Sequence, residues 1–331
     1  MASESDLNTT TMQRPEATPP VIAVVVPCYN EEDALPISLG RLSEVIDMME
    51  KRGIASSDSF ILCVDDGSRD KTWHVIASAH ETSSRIKGIA LAHNRGHQYA
   101  LLAGLLTVGP LCDAAISIDA DLQDDPLAMI EMVERYLEGA EIVYGVRSSR
   151  DTDTWFKRST AHAFYRFQAS MGLDTVYDHA DYRLMSSRAI GLLSDYGESN
   201  LFLRGIIPQI GLKTAIVGYE RATRVAGESK YPLSKMLSFS IDGITSFSSR
   251  PIRIIFFVGL ALLLLDVAMA LYVFSAYFGH DAIPGWTSLM LSTWFLGSLI
   301  LIALGVVGEY IGKIFIEVKR RPRFALRDSL L

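Results

Sequence analysis

Four aspartates fall within seven positions of the stretch ISIDADLQDDP, which begins at residue 116. They are Asp119, Asp121, Asp124 and Asp125, and they follow a hydrophobic run. Carboxylates packed this closely repel one another, so a positive charge must offset the repulsion. Mg²⁺ typically binds one or two protein carboxylates and completes its shell with phosphate oxygens and water. The stretch therefore predicts a divalent metal and a pyrophosphate that the metal carries.

Asp119 and Asp121 are the pair that we expect to hold the cation. The run AAISIDAD (114–121) predicts a strand, on which residues two apart project to the same side. Two such carboxylates can share a hard cation directly or through water. A lone DxD is a weak signal, because structural caps and turns produce the same pattern.

A second acidic turn follows another predicted strand, SFILCVDD (59–66). In VDDGSRDKT, Asp65 and Asp66 offer acceptors for hydrogen bonds from the base or ribose of a nucleoside. A plain turn followed by a helix cap is the alternative, and it would be preferred if this stretch stood alone.

Strand and helix patterns alternate along the first half of the chain. Besides the two strands above, VIAVVVP (21–27) and AEIVYGVR (140–147) read as strands, and helical patterns lie between the four. This alternation predicts an α/β fold with a mostly parallel central sheet and helices on both faces. Ligands of such sheets bind beyond the carboxyl ends of the strands, where the acidic turns lie. Neither GxGxxG nor GxxxxGK[ST] occurs, which disfavours a dinucleotide-binding protein or a P-loop NTPase.

Composition narrows the class of protein. The chain has 331 residues, of which 49% are hydrophobic, and a formal net charge of −7. That charge disfavours a nucleic-acid-binding protein, which needs a basic surface. The three cysteines are far apart and show no CxxC spacing, so they predict neither a disulfide framework nor a zinc site and suit a reducing cytoplasm. Residues 1–20 are polar and rich in Ser, Thr and Pro, which predicts a disordered leader.

Two long apolar segments, 252–278 and 287–312, predict membrane-spanning helices. Buried core helices are the alternative, which the length of the segments and the lack of a polar stripe disfavour. Lys and Arg flank the pair but are absent from the connection GHDAIPGWT, so both flanks are expected in the cytoplasm. We therefore expect a multi-pass protein whose N-terminal part, both termini and basic tail (313–331) are cytoplasmic.

One charge, Asp266, lies in the middle of the first predicted span. A carboxylate at that depth costs about 2.5–3.5 kcal/mol on insertion scales, so it is expected to face a helix partner or to be protonated. Paired spans with such a residue leave a homo-oligomer open as an alternative to a monomer.

Two amphipathic stretches precede the spans, near 155–172 and at 231–250. Their apolar residues recur at helical spacing, and Lys and Arg interleave with them in the first stretch. Such helices suit the headgroup region of a bilayer, where a lipid phosphate would be presented. Ordinary core helices are the alternative.

The motifs carry a family resemblance when they are taken in order. VVVPCYNEE, VDDGSRDKT, HNRGHQYALLAGL and DADLQDDP resemble the family 2 glycosyltransferases of the GT-A fold. TWFKRSTAHAFYR, DYRLMS, LFLRGIIPQIGLK, YERATRVAGESKYPLSKML and DGITSFSSRP, followed by two spans, resemble the bacterial polyprenyl-phosphate glycosyltransferases. That group includes undecaprenyl-phosphate glucosyltransferases and is similar to dolichyl-phosphate mannose synthases. The resemblance implies a GT-A domain over 21–230 in a protein of the bacterial inner membrane.

The resemblance also implies roles on the donor side. The residues expected to line the nucleoside pocket are Pro27, Tyr29, Glu31, Asp65 and Asp66. Asp119 would bind the nucleotide sugar and, with Asp121, a Mg²⁺ or Mn²⁺ ion, while Gln123 would lie near the donor sugar. The HNRGH loop would shape the donor side, although an ordinary helix entry explains His93 and His97 individually about as well.

On the acceptor side, the position that aligns with the family's proposed base is Asp181. A salt-bridged turn with the nearby Arg183 is the alternative. A lipid phosphate has a second pKa of about 6 and is largely anionic at neutral pH, so Asp181 is expected to orient the acceptor more than to deprotonate it. The residues that match the family's lipid-phosphate and donor-phosphate positions are Arg147, Lys157, Arg158, Arg224, Ser229 and Lys230. For an isolated Lys or Arg, a solvated or membrane-surface charge is the default.

The implied activity is inverting transfer of a hexose from a nucleotide diphosphate sugar to a membrane polyprenyl phosphate, for cell-envelope glycosylation. The two-span tail and AGESKYPLSKML favour glucose from UDP-glucose and undecaprenyl phosphate, and mannose from GDP-mannose is the nearest alternative. The absence of QxxRW disfavours a processive polysaccharide synthase. A membrane-tethered protein that binds or assembles around nucleotide sugars without turnover is the alternative outside enzymes.

Overall fold

The computed structural model describes residues 18–147, 179–198, 201–220 and 285–331, together with single helical residues between 252 and 268. The described strands are β1 (Ile22–Cys28), β2 (Phe60–Asp65), β3 (Ile86–Leu91), β4 (Ala114–Ser117), β5 (Ile142–Arg147), β6 (His179–Ser186), β7 (Thr214–Tyr219) and β8 (Leu326–Leu330). The described helices are α1 (Leu35–Lys51), α2 (Thr72–Thr82), α3 (His97–Val108), α4 (Ala128–Leu137), α5 (Ser187–Ser194), α6 (Leu203–Gln209) and α7 (Trp286–Val318).

The eight strands form one sheet in the order β7-β5-β6-β4-β1-β2-β3-β8. Strands β6 and β8 run antiparallel to the neighbours with which they pair, and the other pairs, β4-β1, β1-β2, β2-β3 and β5-β7, are parallel. The mostly parallel α/β fold that the sequence predicts is therefore confirmed. The carboxyl ends of β1, β2 and β4, three adjacent strands, meet at one edge of the sheet.

Helices cover both faces of the sheet. Helix α1 repeats apolar residues every three or four positions, so one stripe of it packs against the sheet. Helices α3, α5 and α6 contribute to a second apolar cluster on the other face. At Gly104 in α3, an added Cβ would lie 2.4 Å from Cγ1 of Val25 and 2.8 Å from Cγ2 of Val64, so only glycine allows this close approach. Such packing on two faces fixes the strand ends from which the functional loops project.

The four predicted strands and the helices between them agree with the structure, with one consequential difference. Strand β4 ends at Ser117, so Asp119 and Asp121 lie in the turn that follows and not on the strand. The amide of Leu122 bonds to the carbonyl of Asp119 at 3.3 Å, and Leu122 has a φ of 46°. The expectation that strand alternation aims the two carboxylates to one side is therefore wrong, because the turn sets their directions.

Helix α7 contains the one segment among the described residues that is long and apolar enough to cross a membrane, Phe295–Val318, with a mean hydropathy of 2.1. Its apolar side chains are largely exposed, Phe295, Ile302 and Phe315 among them. The predicted span 287–312 lies within α7, which continues to Val318. Most of the predicted span 252–278 and the amphipathic stretches 155–172 and 231–250 lie outside the described residues.

The chain returns from α7 to the sheet and ends as strand β8. This strand pairs antiparallel with β3, whose partner residues lie more than two hundred positions earlier in the sequence. Ala92 adds a hydrogen bond to the carbonyl of Ala325 at 2.8 Å. The sequence analysis assigned no strand to the tail 313–331, so its docking on the edge of the sheet is a finding of the structure.

Candidate active site

The loops after β1 and β2 are joined to each other by side-chain hydrogen bonds. The amide of Asn30 bonds to Oγ of Ser68 at 3.0 Å, and Oδ1 of Asn30 accepts from the amide of Arg69 at 2.9 Å. The amide of Glu31 bonds to Oγ1 of Thr72 at 2.9 Å. The two loops therefore form one wall at the carboxyl edge of the sheet.

Asp70 reinforces this wall. Its carboxylate accepts hydrogen bonds from the amide of Glu32 at 3.2 Å and from the amide and hydroxyl of Thr72 at 3.0 and 2.6 Å. Partial burial would raise the pKa of Asp70, but these hydrogen bonds outweigh it and lower the pKa. The ionised carboxylate thus holds the start of α2 against the loop after β1.

The first predicted nucleoside residues lie on and beside this wall. Pro27 pairs with Val64 and Cys28 pairs with Asp65 in the β1–β2 register, so the end of β1 adjoins the end of β2. Tyr29 follows directly and is exposed. The structure thus gathers Pro27, Tyr29 and Glu31 near Asp65, as the nucleoside pocket would require.

Asp65 has an unusual surrounding. Its side chain has 0% exposure, and Oδ1 accepts from the amide of Ser68 at 3.0 Å. Its Oδ2 makes no hydrogen bond within the described part of the chain, and Nη2 of Arg327 lies 3.7 Å from it. A buried carboxylate oxygen is costly to leave without a donor, so this atom is suited to accept from a ligand.

Asp66 acts on the neighbouring loop. Its two carboxylate oxygens accept from the amides of Arg95 at 2.7 Å and Gly96 at 2.8 Å. Burial raises the pKa of Asp66, although these two bonds oppose the shift. Gly67 has a φ of 65°, and an added Cβ there would lie 2.6 Å from the amide nitrogen of Asn94. Asp66 therefore clamps the HNRGH loop onto the end of β2, whether or not it also touches the nucleoside.

The four clustered aspartates have different partners. Asp124 has 2% side-chain exposure and accepts from Arg147 at 3.1 and 3.3 Å and from the hydroxyl of Tyr219 at 2.7 Å. Oδ1 of Asp125 accepts from the amide of Leu127 at 3.0 Å, at the start of α4. Two of the four carboxylates therefore serve the fold, and Asp119 and Asp121 remain predictions as ligand-binding residues.

Asp181 lies at the centre of a second cluster. It accepts from Nη2 of Arg183 at 2.6 Å and from Nε and Nη2 of Arg204 at 3.2 and 3.0 Å. Nε2 of His97 lies 3.5 Å from its Oδ2. Burial would raise the pKa of Asp181, but His97, Arg183 and Arg204 together hold it well below its usual range. The carboxyl group is therefore ionised at neutral pH. The alternative expectation of an ion pair with Arg183 is confirmed, but Asp181 lies in strand β6 and not in a turn.

His97, the first residue of α3, lies between Asp181 and Asp119, one of the two predicted metal ligands. Its Nε2 lies 3.7 Å from Oδ1 of Asp119. Burial would lower the pKa of His97, but the hydrogen bond to Asp181 and the negative charges of Asp119 and Asp181 outweigh it and raise the pKa. Partial burial and the charges of Asp181, Asp124 and Asp121 raise the pKa of Asp119, and His97 partly offsets this. Negative charge is thus in excess around Asp119.

That excess and the hard oxygen donors of Asp119 and Asp121 fit a divalent cation. No group of three or more His, Cys, Asp or Glu side chains arranged to hold a metal occurs among the described residues. Oδ1 of Asp121 also accepts from the amide of Gln123 at 3.2 Å, which fixes the turn. A cation at this pair would therefore need further oxygens, of the kind that a diphosphate supplies.

The remaining predicted residues are placed as follows. Gln123 is buried beside Asp121, and Arg147 is turned onto Asp124 at 32% side-chain exposure. Both remain predictions as ligand-binding residues. Those outside the described part of the chain are Lys157, Arg158, Arg224, Ser229 and Lys230.

Sequence reasoning missed two arginines of the site. Arg204 is half-exposed and bonds Asp181, and Arg327 faces Asp65 from the C-terminal strand. LFLRGI was recognised as a motif, but nothing in it distinguishes its arginine from a solvated one. No local signal marks Arg327, since only the pairing of β8 with β3 brings it to the site.

Comparison with known proteins gives consistent matches. Residues 23–210 match the profile described as Glycosyl transferase family 2. The chain is 50% identical over 312 residues to the uncharacterized glycosyltransferase YkoT of Bacillus subtilis (strain 168), covering 94% of this chain and 92% of that protein. It is 35% identical to the bactoprenol glucosyl transferase of Shigella phage SfII, covering 93% of this chain and 98% of that one. Glucosyl-3-phosphoglycerate synthase from Mycobacterium tuberculosis, in complex with Mn²⁺, UDP and glucosyl-3-phosphoglycerate, overlaps 68% of this chain and 78% of its own at 19% identity and a TM-score of 0.43.

Proposed function

We propose that this chain, which belongs to glycosyl transferase family 2, transfers a glucosyl group from a nucleotide diphosphate sugar to a polyprenyl phosphate in the membrane. The family is evident from the profile match and from relatives that align over almost the whole chain, and it makes the protein a glycosyltransferase. The choice of glucose and of a polyprenyl acceptor rests on relatives named bactoprenol glucosyl transferase. UDP-glucose is the donor that we favour, with GDP-mannose as the alternative.

One observation in the structure supports this proposal most strongly. Oδ2 of Asp65, a buried oxygen to which no described residue donates a hydrogen bond, lies at the same edge of the sheet as the Asp119–Asp121 turn. A nucleoside N–H or O–H would satisfy the first, and a cation bridged to a diphosphate would satisfy the second. A nucleoside diphosphate carries both groups: its nucleoside would donate to Asp65, and its diphosphate would accompany the cation at Asp119 and Asp121.

The residues that would hold the cation are Asp119 and Asp121. A Mg²⁺ or Mn²⁺ ion there would supply positive charge to the departing diphosphate. The protein's own contribution is to hold this charge arrangement before the donor arrives, since the turn after β4 is fixed by hydrogen bonds from Leu122 and Gln123. A prearranged site of this kind stabilises charge that develops in the transition state.

In the proposed reaction, a phosphate oxygen of the acceptor forms a bond to the anomeric carbon of the donor sugar. The bond from that carbon to the diphosphate breaks, and the nucleoside diphosphate leaves with the electron pair. Inversion at the anomeric carbon is expected from the resemblance to the family. No proton need be removed, because a phosphate monoester is already largely ionised at neutral pH.

Asp181 therefore positions groups and does not act as a strong base. Its pKa is held low by His97, Arg183 and Arg204, and a weakly basic carboxylate is a poor proton acceptor. Arg204 is 45% exposed beside it and offers a cation for an incoming anion. In the proposed mechanism, Asp181 fixes the guanidinium of Arg204 and the ring of His97 at the acceptor side of the donor sugar.

The acceptor is proposed to arrive from a membrane in which α7 is embedded. The exposed apolar surface of Phe295–Val318 supports membrane association. We further propose that 252–278 also spans the membrane and that the catalytic domain and both termini are cytoplasmic. A role in binding phosphates is proposed for Lys157, Arg158, Arg224, Ser229 and Lys230. These follow from the sequence and its resemblance.

Purified full-length protein, a short-chain polyprenyl phosphate and labelled UDP-glucose, UDP-galactose, UDP-N-acetylglucosamine or GDP-mannose test the proposal. With Mg²⁺ or Mn²⁺ present, mass spectrometry of the lipid fraction should identify a glucosyl phosphoryl lipid. A mannosyl phosphoryl lipid would show that the donor is GDP-mannose, and the proposed transfer to lipid phosphate would still hold. Binding of nucleotide sugar with no glycolipid from any donor would contradict the proposed activity and favour a binding protein.

A further inference from the structure

The C-terminal strand carries one arginine into the donor side of the site. Strand β8 pairs Ala90 with Asp328 and then Leu91 with Leu326, so Arg327 is the extra residue of a β-bulge. Bulges redirect a side chain from the direction that a regular strand would give it. Here the redirected side chain is that of Arg327, 262 positions beyond the aspartate that it faces.

Arg327 is held over the end of β2 by three contacts. Its Nη2 lies 3.7 Å from Oδ2 of Asp65, its guanidinium lies 5.8 Å from the ring centroid of Trp73, and its Nε donates to Asp328 at 2.8 Å. At 42% exposure the side chain also faces solvent. One side of this cation therefore meets the buried carboxylate, and the other side is open to a ligand.

The distance to Asp65 is the informative detail. A separation of 3.7 Å is an ion pair without a hydrogen bond, so no residue in the described part of the chain donates to Oδ2 of Asp65. A ligand N–H or O–H that bonds this oxygen would lie about 2.9 Å from it. It would then come next to the guanidinium of Arg327.

We propose that Arg327 is a nucleotide-positioning residue, so that the C-terminal strand forms part of the donor site. This proposal rests on the proposed function, and it adds Arg327 to the site that binds the nucleoside of the donor. The ligand is the nucleoside of the donor, bonded to Asp65 and flanked by the guanidinium. The neighbouring contacts serve this placement: Nε of Arg95 donates to the carbonyl of Arg323 at 2.9 Å, which ties the tail to the loop that Asp66 clamps.

The test compares the full-length parent with R327A, R327K and R321A in detergent solution. Arg321 is an exposed arginine of the same tail outside strand β8, so R321A removes an equal charge as a matched control. Isothermal titration with UDP and with GDP, in the presence of Mg²⁺, identifies the nucleotide that binds more tightly. The Kd for that nucleotide is then measured for every variant. KM and kcat are measured for the sugar donor that carries the same nucleotide.

R327A should raise the Kd and the donor KM about tenfold while kcat changes less than about twofold, because a charged contact made with bound donor is lost. R327K should fall between parent and R327A, because lysine keeps the charge and loses the planar fork. R321A should equal the parent. A thermal melt without ligand checks that each variant is folded.

An unchanged Kd and KM in R327A would overturn the inference, and so would a lowered melting temperature as its only effect. If R327A fails to fold, R327K decides: parent-like nucleotide affinity in a folded R327K contradicts the role of the fork. A parent that binds nucleotide and transfers no sugar would refute the proposed function and leave the inference to be judged by the Kd values. A parent that binds neither nucleotide would refute both.

Discussion

Nη2 of Arg183 donates a 2.6 Å hydrogen bond to Oδ1 of Asp181 from a side chain with no solvent exposure. Nε and Nη1 of the same guanidinium have no hydrogen-bond partner within the described part of the chain. Among the described residues, Asp181 is thus the carboxylate that neutralises the buried guanidinium of Arg183. Its role in folding and its proposed role in catalysis must be separated by experiment.

We expect D181A to lose stability as well as activity. Removing the carboxylate leaves Arg183 buried without its counter-charge, which costs about 3–5 kcal/mol in buried pairs. Chemical denaturation should show this loss in the free energy of unfolding. R204A is the matched comparison, because the Arg204 side chain is 45% exposed and loss of its pair with Asp181 should cost about 0–1 kcal/mol. A fully stable, inactive D181A would contradict this reading.

Asp70 should make the wall of the site sensitive to acid. The pKa of Asp70 is lower in the folded protein than its usual value of about 3.9, so its ionised form stabilises the fold above about pH 4. That contribution is lost as the pH falls through the folded-state pKa. D70N should therefore cost about 1–2 kcal/mol at pH 7, with the difference from the parent shrinking below about pH 4. Denaturant melts across this range measure it, and a difference that does not depend on pH would argue against the prediction.

Asp66 should control the HNRGH loop. D66A removes the acceptor of the amides of Arg95 and Gly96, and hydrogen bonds to a charged group contribute about 1.5–3 kcal/mol each. Hydrogen–deuterium exchange at residues 93–97 should rise in D66A, together with the donor KM. D66N keeps one acceptor oxygen, so its exchange rate and donor KM should fall between those of the parent and D66A. Parent-like exchange in D66A would show that the loop is held by other contacts.

Arg147 should matter for stability before it matters for phosphate binding. R147A leaves the carboxylate of Asp124, with 2% exposure, short of its cation, which should cost about 3 kcal/mol. Y219F removes one hydrogen bond to the same carboxylate and should cost about 1 kcal/mol. Urea unfolding measures both. An R147A that melts like the parent while its KM for lipid phosphate rises would support the predicted phosphate-binding role instead.

Local patterns in the sequence were sufficient for strands β1, β2, β4 and β5, whereas strand β3 (Ile86–Leu91) was not assigned from the sequence. Apolar runs such as VIAVVVP become fully buried parallel strands, and the helices between them carry apolar stripes of the expected period. The acidic turns lie at the strand ends because parallel connections place them there. These are properties of short segments, so they can be read without knowing what packs against them.

Features that depend on distant pairing could not be read in this way. LRDSL is short and mostly exposed, and it becomes a strand only because β3 leaves an edge that it can cover. The structural role of Asp124 likewise could not be read from its own segment. It depends on hydrogen bonds from Arg147 and Tyr219, which lie on two other strands. The turn after Ser117 was missed because the apolar run continues to Ile118 beyond the end of the ladder.

The most direct test of the account is the metal dependence of sugar transfer in D121N, with D125N as the control. Both changes remove one negative charge from the same loop, but Asp125 accepts from the amide of Leu127 just before α4, and the amide oxygen of asparagine can accept the same bond. After chelation, glycolipid formation from labelled UDP-glucose is followed while Mg²⁺ or Mn²⁺ is restored. The parent and D125N should regain full activity, and D121N should stay at least about a hundredfold slower at saturating metal. Parent-like transfer by a correctly folded D121N would contradict the central claim that this carboxylate pair holds the cation on the donor diphosphate.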